Sequence, residues 1–157
     1  MERVATVAAR HGISSQIVMP GPLSRDLIPW LLQRCEAGVV ASRSETFGQC
    51  IVEPMAAGLP VVGTRTGVGE WLLMDYRTGV GVDYGDGPGL AGAIDYLVRH
   101  PAAAAEMGRN AASTVRSSLG WTDLAACHLR VYTALVERVD TVPERVEAFA
   151  ELASWPS

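Results

Sequence analysis

The chain has 157 residues, 48% hydrophobic and 19% charged, the size and balance of one globular domain with a real core rather than a disordered segment. The formal net charge of −4, with no basic run, argues against nucleic acid as the main partner, and no apolar run approaches the ~18 residues of a membrane span. All 13 basic residues are arginines, so Schiff-base chemistry and a P-loop lysine are excluded in this chain. The first residues, MERVATVAARHG, carry charges and no long apolar core, so they do not read as a signal peptide. A cytoplasmic location is expected.

In chain order, residues 2–10 predict a helix stopped by Gly12. Residues 16–21 (QIVMPG) predict a short apolar strand ended by Pro20 and Gly21. Ser24 is expected to cap a helix running to Cys35, with Leu27, Ile28, Leu31 and Leu32 on one face and Pro29 near its first turns. Residues 37–42 (AGVVAS) form an apolar strand, followed by a helix from about Phe47 to Ala57 with Gly58 just past its end. PVVGT (60–64) is the next strand, VGEWLLMD a short helix, and TGVGVDYGDG a strand leaving through a glycine-rich turn. Asp86 caps a helix over 88–99. Helices over 102–118 and 122–139 follow, the second with Thr122 as cap, and then a short helix over 144–152.

Apolar strands alternating with helices indicate a parallel sheet covered on both faces. The expected fold is a doubly wound, Rossmann-like α/β domain over 1–139, with about four strands and a tail or short helix over 140–157. Such sheets bind ligands beyond the C-terminal ends of their strands.

Several signatures are absent. Gly67-Val-Gly69 and Gly79-Val-Gly81 each lack the third glycine of a dinucleotide fingerprint, and there is no P-loop, HExxH or G-x-S-x-G. Cys35, Cys50 and Cys127 are odd in number and widely spaced, so no metal site is expected and they read as reduced, partly buried thiols. His11 and His100 sit at helix ends and His128 within a helix, none beside a nucleophile.

The stretch SETFGQCIVE is different. Thr46, Phe47 and Gly48 open a helix whose first amides are unpaired, which makes an anion site suited to phosphate. Glu45 and Glu53 bracket that start with seven residues between them. A carboxylate accepts two hydroxyl donors at once, as from a ribose cis-diol. One glutamate is thus suited to a ribose and the other to a sugar, with a diphosphate on the amides between. An isolated pair would read as one dipole-favouring carboxylate and one solvated helix residue. The surrounding strand, glycine and helix start favour the joint role.

With these residues in place, the chain resembles the C-terminal, donor-binding domain of GT-B-fold retaining glycosyltransferases. Glu45 and Glu53 match the family's E-x7-E motif, and SETFGQCIVEPMAAGLPVVGT its motif helix and next strand. GVGEWL, TGVGVDYGDGPGLAGAI, MGRNA, Trp121 and Tyr132 extend the match over about residues 4–139. The resemblance implies that Glu53 binds the donor ribose and that Glu45, as the catalytic glutamate, lies near the transferred sugar or its phosphates. The amides of Phe47, Gly48, Gln49 and Cys50, with Thr46 beside them, would meet sugar and diphosphate; Met19 and Pro20 would border the base. The donor is a nucleotide diphosphate sugar, and no metal or cofactor is implied. The match departs at Gln49 and Cys50, where the family has aliphatics, and at Pro54, where alanine is commoner.

Family members also have an N-terminal acceptor-binding domain, and an arginine and a lysine that neutralise the diphosphate. The chain is expected to begin after both, leaving a sheet edge exposed or covered by a partner. Three readings are carried forward. The first is a hexose transferase acting with a separately supplied N-terminal half or as a homo-oligomer. The second is a non-catalytic nucleotide-sugar-binding or partner-binding module. A sugar epimerase of the same fold fits the motif block less well.

Overall fold

The computed structural model describes residues 2–74 and 76–137, so the expected helix over 144–152 lies outside the described residues. The chain divides into two compact units, Met1–Gln33 and Arg34–Ser157.

In the first unit, α1 (Glu2–Arg10) ends as expected at Gly12. The Ile13 amide donates to Ala8 O and the Gly12 amide to Ala9 O, the paired closure of a Schellman end. The predicted strand over 16–21 is not formed. Ser14–Gln16 is a 3₁₀ turn followed by an extended Ile17, residues 17–21 join no ladder, and Val18 is 85% exposed. Helix α2 is Leu27–Leu32, shorter than expected, and Ser24 supplies a backbone carbonyl to Leu27 N rather than a side-chain cap.

The second unit is built on three parallel strands, β1 (Gly38–Val40), β2 (Val61–Thr64) and β3 (Val80–Val82), in the order β1-β2-β3. Gly38 pairs with Val61 and Val62 with Val80. Among the described residues the sheet therefore has three strands rather than about four. Successive residues of β2 face opposite ways. Val61 joins Val40, Ile51, Met55, Leu72, Ala111 and Val115 in one buried cluster, while Val62 joins Val80, Ala93, Leu97, Ala104 and Met107 in the other. Helices α3 (Gln49–Ala56) and α4 (Gly69–Leu72) supply the first layer and α5 (Gly87–Arg99) the second. Helix α6 (Pro101–Leu119) contributes to both. This is the doubly wound arrangement read from the sequence. In β1, Val40 is buried but Val39 is half exposed, so this edge strand is not covered throughout.

Asp86 caps α5 as expected, its Oδ1 accepting from the Gly89 amide at 2.9 Å. Asp86→Ala should cost about 1 kcal/mol of stability, read as a lower urea midpoint at unchanged slope. Helix α7 (Trp121–Glu137) begins one residue earlier than expected, which places Thr122 inside the helix rather than at its cap.

Candidate functional site at the start of helix α3

Strand β1 ends at Val40 and delivers the chain to the C-terminal edge of the sheet, where residues 41–48 form the loop that enters α3. Gly48 caps that helix at φ +106°, a conformation L side chains rarely adopt, and the Ile51 and Val52 amides donate to its carbonyl. The amides of Gln49 and Cys50, in the first helical turn, have no intrahelical acceptor. The positive end of the helix dipole lies behind them, an arrangement suited to an anion. Thr46, Phe47, Gln49 and Cys50 are exposed there, and Gly48 is buried.

Glu45 is half-buried ahead of the helix, and Glu53, its fifth residue, is exposed. The buried face of α3 consists of Ile51, Pro54 and Met55. Pro54 fits because β1 offers a glycine: a Cβ on Gly38 would lie 3.1 Å from Pro54 Cβ. Glu45 Oε1 accepts from Ser42 Oγ at 2.6 Å and from Cys50 Sγ at 3.4 Å. Burial, then the hydrogen bond to Glu45 and its negative charge, push the Cys50 thiol pKa up; the Cys50 and Ile51 amides pull the other way. Met19 and Pro20 are exposed residues of the first unit.

Across from Glu45 lies the loop after β2. The Val68 amide donates to Phe47 O at 2.7 Å, and Gly67, at φ +55°, sits so close that a Cβ would fall 2.6 Å from Phe47 O. Gly67→Ala should therefore destabilise the domain by about 1–3 kcal/mol while displacing the Glu45–Phe47 loop. A drop in urea midpoint together with weaker ligand binding would record both effects. Thr66, in the same loop, has a buried Oγ1 with no hydrogen-bond partner among the described residues, an open polar group of the kind found at functional loops. Sequence reasoning does not single out Ser42 or Thr66, and it meets Gly67 only within the GVGEWL stretch and an incomplete G-x-G.

Positive side chains are sparse. Arg65, just past β2, pairs with Asp83 at 3.2 Å, and Arg43 is exposed on the loop before Glu45. Cys35 and Cys50 are exposed rather than partly buried, and Cys127 is half-buried; among the described residues no disulfide joins them. His100 Nδ1 lies 2.9 Å from Tyr96 O and His128 Nδ1 2.7 Å from Leu124 O, both exposed structural contacts. Among the described residues no group of His, Cys, Asp or Glu is placed to hold a metal ion, and no helix is long and apolar enough to cross a membrane.

An open hollow of about 570 Å³ lies elsewhere, lined by Gly58, Arg109, Ala112, Ser113, Arg116 and Ser117. Gly58 follows the C-terminal end of α3, whereas Glu45 and Gly48 precede its N-terminal end. The hollow contains neither motif glutamate, so the candidate site rests on the α3 start.

Known proteins resemble the chain over most of its length. The family model described as "Glycosyl transferases group 1" matches residues 2–114. A D-inositol 3-phosphate glycosyltransferase from Pseudarthrobacter chlorophenolicus is 36% identical over 120 residues, covering 76% of this chain and 28% of the relative. The chain thus spans under a third of that relative's length. Among solved structures, sucrose-phosphate synthase from Thermosynechococcus elongatus shares the fold at TM-score 0.79 and 24% identity, over 87% of this chain and 34% of the other. Anabaena HepE, solved with UDP, superposes at TM-score 0.68 and 26% identity, over 74% of this chain and 32% of the other. A further HepE structure contains UDP-glucose.

Proposed function

Because the chain belongs to the glycosyl transferases of group 1, we propose that its second unit binds a nucleotide diphosphate sugar at the start of α3 and serves transfer of a hexose with retention. The observation that carries this reading is the placing of Glu45 and Glu53 on either side of a glycine-capped helix start at the C-terminal edge of a parallel sheet. Glu53 takes the ribose hydroxyls, and its exposed position suits a bidentate acceptor. The amides of Phe47, Gly48, Gln49 and Cys50 receive the sugar and diphosphate, with Thr46 at the rim. Glu45 meets the transferred sugar. The presence of UDP and UDP-glucose in HepE structures supports this donor class.

Departure of the diphosphate requires positioned positive charge or dipoles. The α3 dipole supplies part of this without metal or cofactor. The acceptor is held by a further N-terminal half, in the same chain or a separate one, or by a second copy. The reaction is placed in the cytoplasm. One observation favours the second reading, a non-catalytic nucleotide-sugar-binding module: Arg65 is already engaged by Asp83, and the chain has no lysine to stand in.

Calorimetric titration with UDP, ADP, GDP and UDP-glucose tests the shared core of both readings. Weak saturable binding of at least one is expected; binding of none would overturn them. Sugar transfer on adding the acceptor-binding half of a relative would then decide for the enzyme.

A further inference from the structure

The carboxylate of Glu45 is held by two side chains that the donor reading leaves unused. Ser42 Oγ–H donates to Oε1 at 2.6 Å, within the short range of hydrogen bonds to a charged acceptor, and Cys50 Sγ–H approaches the same oxygen at 3.4 Å. Ser42 is itself fixed from the sheet: Thr64 Oγ1–H donates to Ser42 O at 2.6 Å, and Thr64, the last residue of β2, is buried. Two donors therefore converge on Oε1, one from the loop after β1 and one from the first turn of α3, and the end of β2 fixes the first of them. A glutamate side chain has several rotamers to lose on ordering. Two donors on Oε1 select one of them and leave Oε2 without a hydrogen bond among the described residues.

We propose that Ser42 and Cys50 are positioning residues that consume Glu45 Oε1 and present Oε2 to the sugar of the donor. The inference rests on the reading that Glu45 meets the transferred sugar. Its consequence is selectivity: the pair sets how strongly the site distinguishes a nucleotide sugar from the bare nucleotide, because the nucleotide portion is held by Glu53 and the helix amides. The thiol is suited to this role, since its proton remains on sulfur at neutral pH and points a donor at the carboxylate. An aliphatic side chain at position 50 has no such donor.

The test uses the full chain and two probes, UDP and UDP-glucose. Ser42→Ala should weaken UDP-glucose binding about 3- to 10-fold and leave UDP unchanged, with Ser42→Thr restoring most of the loss. Cys50→Val should act in the same direction and less strongly, whereas Cys50→Ser should retain selectivity. Equal weakening of both ligands by Ser42→Ala would reduce Ser42 to a structural role and overturn the inference; so would no change in either. Should the wild-type chain bind neither probe but take another nucleoside diphosphate, that nucleotide and its sugar replace the pair; should it bind none, the donor reading falls and the inference with it.

A ligand-free arm tests the contact alone, by following alkylation of Cys50 against pH in a Cys35→Ser, Cys127→Ser background. Glu45→Gln should move the inflection to lower pH; an unmoved inflection would contradict the contact.

Discussion

Replacing Glu53 by glutamine should weaken nucleoside diphosphate binding by about 1.5–3 kcal/mol, the range for hydrogen bonds to a charged group, or roughly 10- to 150-fold. The change is nearly isosteric and falls on the exposed face of α3, while the buried face, Ile51, Pro54 and Met55, is untouched. The Glu53 side chain makes no hydrogen bond or ion pair among the described residues, so the fold does not depend on its charge. Surface changes of this kind are usually within about 0.5 kcal/mol in stability. A calorimetric titration paired with a urea melt separates the two quantities. Lost affinity at unchanged stability is the expected result; unchanged affinity would remove Glu53 from the ribose site.

Gly108→Ala should destabilise the domain by about 3 kcal/mol, the upper part of the range for overpacking. On propensity alone a glycine-to-alanine change within a helix stabilises by about 1 kcal/mol. At Gly108 sterics reverse the sign, because a Cβ would overlap Gly58 O and fall 3.0 Å from Gly58 C. These are backbone atoms of the turn that ends α3, where Gly58 stands at φ +87°, and they cannot swing aside as a side chain would. Relief requires α6 to lift away from α3, which opens the cluster shared by Ile51, Met55, Ala111 and Val115. Gly92, in α5, is the control, since a Cβ there meets nothing within 4 Å. Gly92→Ala should therefore stabilise by about 0.5–1 kcal/mol. Opposite shifts in urea midpoint for the two variants are expected; a neutral Gly108→Ala would show that the helices are not so closely packed.

These two positions also mark what the sequence makes legible. The run from β1 through α3 to β2 could be read because each signal is local: an apolar strand, a glycine at the helix start, and Gly58 and Pro60 between helix and strand. Asp86 was readable for the same reason, a cap acting over three residues. Residues 16–21 misled because apolarity does not provide a ladder partner, and Gln16 is taken into a 3₁₀ turn instead. Helix α2 came out short because a two-turn helix depends on burial, and Leu27, Trp30 and Leu31 remain exposed at 47%, 55% and 37%.

Within the site, the glutamate spacing was visible and the support around it was not. Thr64 reaches Ser42 across 22 residues, and Gly67 meets Phe47 across a loop pairing that only the folded sheet creates. Gly108 is illegible for the same reason: nothing near it in sequence announces Gly58.

The central claim is that the start of α3 is where a nucleotide sugar binds. Backbone amide spectra of the isotopically labelled chain, recorded during titration with UDP-glucose, test it most directly. The account predicts saturable shifts centred on the amides of Phe47, Gly48, Gln49 and Cys50 and extending to Glu53. Shifts confined to α6 around Arg109 and Arg116, or none at millimolar ligand, would contradict it.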